Sequence, residues 1–303
     1  MASENITQET LSARFSDISV ELRTMLIPIK GYEKVPLVSL EEAIVPVVLL
    51  VRDVRRRANI MKQRCKNPAN NLSPDEAASI MLYTAEWEPS TDSLYFILNS
   101  TLRKEDRTKL SSWFLYLKLL LTALTHLPPI GERTVYRGIR QNMSHLYPQG
   151  KTLIWWAFSS CTENIDTLET ATIFGKKGAR TLFTIKCYSG KDIHQYSTVE
   201  NESEVLLLPG IQLEVVASLD QGPNFHIIQL KEVEPLHPFL EPLPGHRIPL
   251  VMPPANLKTI KNRDEFYSFA YEHQLTAKEL EKVKIRMKAT RYNLTRYTNV
   301  LNN

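Results

Sequence analysis

An arginine inside a predicted strand is the first residue whose setting suggests chemistry. Arg137 stands in the run Val135-Tyr136-Arg137-Gly138, where its neighbours are apolar, aromatic or small. An arginine in such a run is rarely buried without an anionic partner, and its planar guanidinium fits a phosphate or a carboxylate. Gly138 beside it would let a ligand approach the backbone. A structural ion pair explains Arg137 equally well at this point.

Small polar side chains follow the next predicted strand. The apolar run 153–158 ends in Ser159-Ser160-Cys161-Thr162. Hydroxyl groups there can hydrogen-bond a sugar or orient a carboxylate. The alternative interpretation is a plain strand end whose hydroxyls cap a helix at Asn164. Ser160 has no Gly-x-Ser-x-Gly setting and no His-Asp pair placed for a triad, so nothing indicates a hydrolase nucleophile.

Two glutamates at alternate positions precede a third predicted strand. Glu202 and Glu204 lead into the apolar run 205–208, which Pro209-Gly210 closes. Alternate side chains of an extended chain point to one face, and like charges held that close are unfavourable. A solvated strand end is the plain alternative. An arginine, a serine cluster and paired carboxylates on three predicted strands, in this order along the chain, are nevertheless more specific together than any one of them alone.

The elements that must position these residues divide into two classes. Residues 39–128 are predicted to be essentially all helical, with capping boxes that begin at Ser39 and Ser73. We predict helices over 39–66, 73–87, 91–102 and 112–127. Strands are predicted over 134–137, 153–158, 179–187, 205–208, 211–219 and 225–233, interrupted by one helical pattern over 165–174. Helices first and strands second indicate an α+β protein, and no Gly-x-Gly-x-x-Gly follows a strand.

Composition excludes several classes of protein. With 303 residues, 43% hydrophobic and 23% charged, the chain is typical of a globular protein, and a formal net charge of +4 is too small to imply a polyanion partner. Three scattered cysteines and seven unpaired histidines argue against a disulfide framework and a metal site, so we expect no metal. We find no signal peptide and no membrane span, and expect a cytoplasmic or nuclear protein.

The C-terminal part has a different composition. Seven of the 18 prolines fall within residues 235–254, which indicates an extended arm, and from Lys278 onward the chain carries seven Lys or Arg and two acidic residues. We predict an N-terminal extension with one basic-faced helix (1–70), a catalytic domain (71–235) and a proline-rich arm with a basic helical tail (236–303). An acidic partner, such as nucleic acid, anionic lipid or protein, would suit that tail.

The three motifs in this order resemble the arginine-specific mono-ADP-ribosyltransferases of the R-S-E class. The likeness covers about residues 71–235. It includes residues 135–138 for the R motif, 157–162 for the serine motif and 202–206 for the E-x-E motif. The resemblance implies an N-terminal helical lobe packed on a split antiparallel β-sheet sandwich, with NAD as the substrate. The family's usual Ser-Thr-Ser reads Ser160-Cys161-Thr162 here, which puts a role for Thr162 in doubt.

The resemblance also implies roles. Arg137 would hold the NAD pyrophosphate or the adjacent ribose, and the backbone of Gly138 would meet the nicotinamide amide. Ser160 would brace the nicotinamide ribose and Glu204. Phe174 would stack on nicotinamide, or serve as a core residue of a short helix.

The two glutamates would divide the reaction between them. Glu204 would stabilise the oxocarbenium-like transition state as nicotinamide leaves. Glu202 would bind and help deprotonate an acceptor guanidinium, and Tyr196 would contact that acceptor, or pack within the protein. The leading hypothesis is transfer of ADP-ribose from NAD to arginine. An NAD glycohydrolase and an inactive adaptor that uses the basic tail are the alternatives, and the choice between NAD and NADP stays open.

Overall fold

Five α-helices precede the first strand in the part of the chain that the computed structural model describes, namely residues 25–169, 174, 177–198, 203–222, 224–235 and 238–243. They are α1 (Leu40–Ala43), α2 (Val54–Arg64), α3 (Pro74–Thr84), α4 (Leu94–Leu102) and α5 (Phe114–His126). Ser39 and Ser73 cap α1 and α3 with both hydrogen bonds of a capping box, which confirms these two predicted starts.

One predicted helix is wrong in its continuity. The helix expected over 39–66 is broken, because α1 ends at Ala43, a 3-10 turn occupies Val45–Val47, and α2 begins only at Val54. Pro46 lacks a backbone N–H and its ring crowds the carbonyl four residues earlier, so the first helix cannot continue through it. Asp53, with a left-handed φ of 55°, changes the direction of the chain just before α2 begins.

The second half of the described chain forms one eight-stranded sheet. Its strands are β1 (Arg133–Ile139), β2 (Thr152–Trp155), β3 (Ser159–Thr162), β4 (Arg180–Cys187), β5 (Lys191–Asp192), β6 (Glu204–Leu207), β7 (Ile211–Asp220) and β8 (Phe225–Glu232). The order across the sheet is β2-β7-β8-β4-β1-β3-β6-β5. The predicted α+β class is confirmed, although the sheet is mixed and not purely antiparallel, since β4 and β8 run parallel.

A seam divides the sheet into two parts. β1 and β4 align over seven residue pairs, whereas β1 and β3 align only at Tyr136 and Thr162. We call β2, β7, β8, β4 and β1 the five-strand part, and β3, β6 and β5 the three-strand part. The split implied by the family resemblance corresponds to this seam, where one residue pair joins two otherwise well-paired parts.

The two faces of the sheet have different neighbours. On one face, an apolar core runs from Val135 and Phe183 in the five-strand part to Val205 in the three-strand part. On the other face, Leu206 joins the core built by the helices. Strands β3 and β6 of the three-strand part are therefore buried on both sides, and the helices cover one of these sides.

The segment between β2 and β3 links the sheet to the helices. The single strand predicted over 153–158 ends at Trp155, and Trp156, Ala157 and Phe158 join the helical core. The serine cluster that follows is not merely a strand end, because it forms β3 itself and pairs with β6. Of the helix predicted over 165–174, the structure describes a 3-10 turn at Ile165–Glu169 and the single residue Phe174.

Candidate active site

A buried carboxylate opens strand β6. Glu204 is the first residue of the strand and is 0% exposed. Its Oε2 accepts a hydrogen bond from the Ser197 hydroxyl at 3.0 Å, and its backbone carbonyl accepts one from the Ile193 N–H at 3.0 Å. Burying a carboxylate costs free energy unless it is hydrogen-bonded or paired, and the Ser197 hydroxyl offsets part of this cost.

A buried guanidinium reaches across the seam from the opposite side. Arg137 lies on β1, is 1% exposed, and its Nη1 donates to the backbone carbonyl of Ser160 on β3 at 2.6 Å. This charge-assisted bond supplements the single residue pair that joins β1 to β3. Arg137 therefore helps to hold the two parts of the sheet together at the site.

The Arg137 and Glu204 charges both affect the pKa of the Cys161 thiol. Burial raises its pKa to about 12, while the Arg137 guanidinium lowers this pKa and the Glu204 carboxylate raises it further. Because Coulomb effects on a titrating group fall with distance, both charged side chains lie near the same point of β3. The thiol stays protonated near neutral pH, so Cys161 is not a nucleophile there.

Ser160 places a buried hydroxyl group beside Arg137 and Glu204. Its Oγ is buried without a hydrogen-bond partner among the described residues. Thr162 pairs directly with Glu204 across β3 and β6, so Ser160, two residues before Thr162, lies on the same face as Glu204. The predicted bracing of Glu204 by Ser160 is not present in this structure, where Ser197 provides the hydroxyl. An unsatisfied buried hydroxyl suits a hydrogen-bonding substrate group.

Gly138 and Phe174 lie against each other in the structure. A Cβ on Gly138 would lie 2.8 Å from Cδ2 of Phe174, closer than real Cβ contacts allow. The Phe174 ring is buried, lies edge-on to Phe225 at 5.8 Å, and has the Arg180 guanidinium 5.4 Å from its centroid. The absence of a side chain at Gly138 is therefore what lets an aromatic ring lie directly against β1.

The predicted acceptor residues have different outcomes. Tyr196 is buried, and its hydroxyl donates to the Ala69 carbonyl at 2.9 Å and accepts from Asn70 Nδ2 at 3.1 Å. Burial raises the pKa of this phenol. These contacts match the packing interpretation of Tyr196, and its contact with an acceptor stays a prediction. Glu202 lies outside the described residues, so its predicted role also stays a prediction.

Sequence reasoning missed the polar residues that position the site. Asn99 on α4 donates through Nδ2 to the Phe158 carbonyl and to the Tyr83 hydroxyl, both at 3.2 Å, and so fixes the chain just before β3. Asn99 could have been recognised from the sequence, because its amide side chain stands in a largely apolar predicted helix. Ser197 gave none, because a serine in a polar loop is unremarkable until the fold brings it to Glu204.

The described residues lack the features of a metal centre and of a membrane-spanning helix. They contain no group of three or more His, Cys, Asp or Glu side chains placed to hold a metal ion. Within the same ranges, no helix is both long enough and apolar enough to cross a bilayer.

Comparison with known proteins places the chain in a family. A family model described as NAD:arginine ADP-ribosyltransferase matches residues 34–235, about two thirds of the chain. No curated protein sequence matches significantly.

Three solved structures that resemble this chain are distant from it in sequence. The effector XopAI from Xanthomonas axonopodis pv. citri is 19% identical, with 69% of this chain and 90% of that chain covered and a TM-score of 0.49. ADP-ribosyltransferase HopU1 of Pseudomonas syringae pv. Tomato is 22% identical, covering 58% and 87% at a TM-score of 0.46. The eucaryotic mono-ADP-ribosyltransferase ART2.2 is 20% identical, covering 65% and 85% at 0.48. Because the family model spans more than half of the sequence, the chain belongs to the NAD:arginine ADP-ribosyltransferase family, whose members use NAD as the ADP-ribose donor.

Proposed function

We propose that the protein transfers ADP-ribose from NAD to the guanidinium of an arginine in an acceptor protein, with Glu204 as the catalytic carboxylate. The observation that carries this proposal is the complete burial of Glu204 at the seam of the sheet, on the same face as the unsatisfied hydroxyl of Ser160. Family membership supplies NAD as the donor.

The buried carboxylate acts on charge that develops in the donor. When the bond between C1′ of the ribose and the nicotinamide nitrogen breaks, nicotinamide leaves with the bonding electrons and positive charge develops on the ribose. A fixed carboxylate in a water-poor site stabilises that charge more strongly than it would in water. Glu204 is held for this task by its own burial and by the Ser197 hydroxyl.

The other described residues bind the donor. The Ser160 hydroxyl is placed to hydrogen-bond a ribose hydroxyl, and the backbone at Gly138 can be approached closely because no side chain stands there. Phe174, against Gly138, offers a ring for stacking on nicotinamide. Arg137 supplies a permanent positive charge near the donor's phosphates and fixes β3 through the Ser160 carbonyl.

Arginine specificity is assigned to Glu202. A guanidinium is protonated near neutral pH and becomes nucleophilic only when a base takes its proton. Glu202 stands two residues before Glu204, so in an extended chain both carboxylates project from the same face. In the proposed step a guanidinium nitrogen forms a bond to C1′, the bond to nicotinamide breaks, and Glu202 accepts the proton that the guanidinium loses.

The experiment compares two glutamate variants with labelled NAD and an arginine-rich acceptor. We expect Glu204→Gln to lower nicotinamide release by about a thousandfold, the size of effect seen when a preorganised electrostatic group is removed. Glu202→Gln should abolish transfer to arginine while release of nicotinamide to water continues. Glu132→Gln, an exposed carboxylate beside Lys186, is the matched control and should behave as the parent does.

Two results would overturn the proposal. Glu204→Gln that labels the acceptor as well as the parent does would remove Glu204 from the reaction. Nicotinamide release that no guanidino acceptor alters, with no labelled arginine found by mass spectrometry, would identify an NAD glycohydrolase instead. Running the assay with both NAD and NADP determines which donor is preferred.

A further inference from the structure

The loop before β6 is fastened to the end of a helix by one threonine. Thr84 is the last residue of α3 and is fully buried. Its hydroxyl accepts from the Thr198 N–H at 3.0 Å and its carbonyl accepts from the Thr198 hydroxyl at 2.9 Å. The Thr84 hydroxyl donates mainly to the Met81 carbonyl of its own helix at 3.0 Å, and it shares this hydrogen with the Tyr196 carbonyl at 3.4 Å. The loop is thus held on both sides of one residue, Ser197.

Ser197 is placed between these two attachment points. Its hydroxyl donates to Glu204 Oε2 at 3.0 Å in a buried environment. Tyr196 on its other side is anchored by its own hydroxyl to the segment before α3, at Ala69 and Asn70. With both neighbours bonded to α3 and the segment before it, the helices contribute to the direction of the Ser197 side chain, together with the 3-10 turn at His194–Tyr196 that follows β5.

We propose that Ser197 is a positioning residue that orients the Glu204 carboxylate, and that Thr84 is its anchor on the helical lobe. This inference rests on the proposed function, because it gives Ser197 a purpose only if Glu204 acts on the donor. It also assigns to Ser197 the hydroxyl contact with Glu204 that the family resemblance would give to Ser160.

The physical reason is the rotational freedom of a glutamate. Its terminal torsion is broad, so backbone position alone does not fix the plane of the carboxylate. A hydroxyl donor on a carboxylate oxygen is a charge-assisted bond with a strong directional preference. A misplacement of about 1 Å in a catalytic group can cost on the order of a hundredfold in rate. Loss of the Ser197 hydroxyl should therefore reduce the chemical step more than substrate binding.

The test measures kcat and KM for nicotinamide release from NAD without an acceptor. Ser197→Ala should lower kcat by roughly 10- to 100-fold while KM for NAD changes by less than about twofold. Ser197→Thr keeps the hydroxyl and should recover kcat to within about threefold of the parent. Thr84→Val removes the anchoring hydroxyl and should lower kcat in the same way, whereas Thr84→Ser, which keeps it, should not.

A matched variant separates positioning from general stability. Ser79 lies on the same helix as Thr84 and is equally buried, and its hydroxyl donates to the Glu76 carbonyl of its own helix at 2.7 Å. Ser79→Ala should leave kcat unchanged, and melting temperatures of all variants report on folding. If Ser197→Ala retains the parent kcat, or if Ser197→Thr fails to rescue a folded protein, the proposal is wrong.

Glu204→Gln in the same assay distinguishes this failure from failure of the proposed function. An active Glu204→Gln variant refutes both the catalytic role of Glu204 and its positioning by Ser197. An inactive Glu204→Gln variant together with a fully active Ser197→Ala variant refutes only the positioning role. Reduced kcat in Ser197→Ala, rescued in Ser197→Thr, supports both.

Discussion

The two parts of the sheet hold their functional residues by different means. The five-strand part carries Arg137 and Gly138 on β1, which is paired with β4 over seven residues. The three-strand part carries Ser160 and Glu204 on β3 and β6, which are paired over four. Here the placement of side chains depends on hydrogen bonds from the helices, through Asn99 to the segment before β3 and through Thr84 to the loop before β6.

This difference predicts that substitutions in the two parts of the sheet affect different properties, namely stability in one part and catalysis in the other. Long ladders with an apolar core place a side chain through the backbone, so a change there is felt mainly in the free energy of unfolding. In the three-strand part, individual polar contacts position the reacting groups. A substitution there that costs a similar unfolding free energy should therefore also lower kcat. Three predictions test this contrast.

Breaking the link between the two parts should have the largest effect. Arg137→Met removes the bond to the Ser160 carbonyl together with a buried positive charge of the site, so we expect the unfolding free energy to fall by about 3 kcal/mol. Nicotinamide release should fall by at least about a hundredfold. Urea denaturation and NAD turnover measure the two quantities.

An arginine on the same strand provides the control. Arg133 is exposed and forms an ion pair with Glu163 at 2.8 Å. Arg133→Met should cost less than about 1 kcal/mol, because exposed ion pairs contribute little. Equal losses of stability in the two variants would contradict a special role for Arg137 at the seam.

Removing one buried hydrogen-bonding group from each region should have an intermediate effect. Asn99→Ala and Tyr147→Phe should each lower the unfolding free energy by about 1–3 kcal/mol, because each leaves buried partners unsatisfied. Asn99 serves the three-strand part, whereas Tyr147 accepts from Trp155 Nε1 at 3.1 Å in the core under the five-strand part.

Only the first of these substitutions should reduce turnover. We expect kcat for nicotinamide release to fall about tenfold in Asn99→Ala, which frees the chain before β3, and to stay unchanged in Tyr147→Phe. Similar kcat values in the two variants, measured well below their melting temperatures, would mean that the two parts do not differ as described.

Ionisation of the buried Cys161 thiol should have the smallest effect on the unfolding free energy, and this effect depends on pH. The pKa of Cys161 is raised to about 12 in the folded protein from an ordinary value of 9.0. Because the folded state holds this proton more tightly, its stabilising effect is complete below pH 9 and is lost as pH rises towards 12. Near pH 10 the unfolding free energy should be lower by about 1 kcal/mol than it is below pH 9.

Comparison with an alanine variant isolates this contribution. Cys161→Ala should be less stable near neutral pH because it leaves a small cavity, but its unfolding free energy should fall less steeply above pH 9. Cys187 on β4 also has a raised pKa, caused mainly by burial, and Cys187→Ala gives the corresponding measurement for the five-strand part. Parallel pH profiles for the parent and Cys161→Ala would contradict the assignment.

Local signals predicted many of the elements, and the order of the motifs predicted the family. Ser39 and Ser73 could be recognised as helix starts because a capping box lies within four residues of sequence. Glu204 was expected at a strand start, where it stands. The break at Pro46 also follows from local chemistry, because proline ends a helix, but the apolar pattern around it is continuous and predicts a longer helix.

Contacts between distant segments lay beyond such reasoning. β3 has the composition of a loop and is a strand only because it pairs with β6. β5 has two residues, too few for any periodicity. The bond from Ser197 to Glu204 depends on where α3 ends in space, which no pattern within residues 194–207 records. The side chains that do the proposed chemistry were therefore easier to find than those that hold them.

The parallel pairing of β4 with β8 has a consequence for how the chain acquires its structure during synthesis. β4 ends at Cys187, but its partner is not complete until Glu232 has left the ribosome. The helices, built largely from local contacts, can fold before that point. A chain stopped near residue 220 would expose unpaired edges on β4 and β7, which are templates for aggregation. Because β8 is completed late, we expect premature termination to leave an aggregation-prone chain even when it falls beyond Glu204, the last proposed catalytic residue.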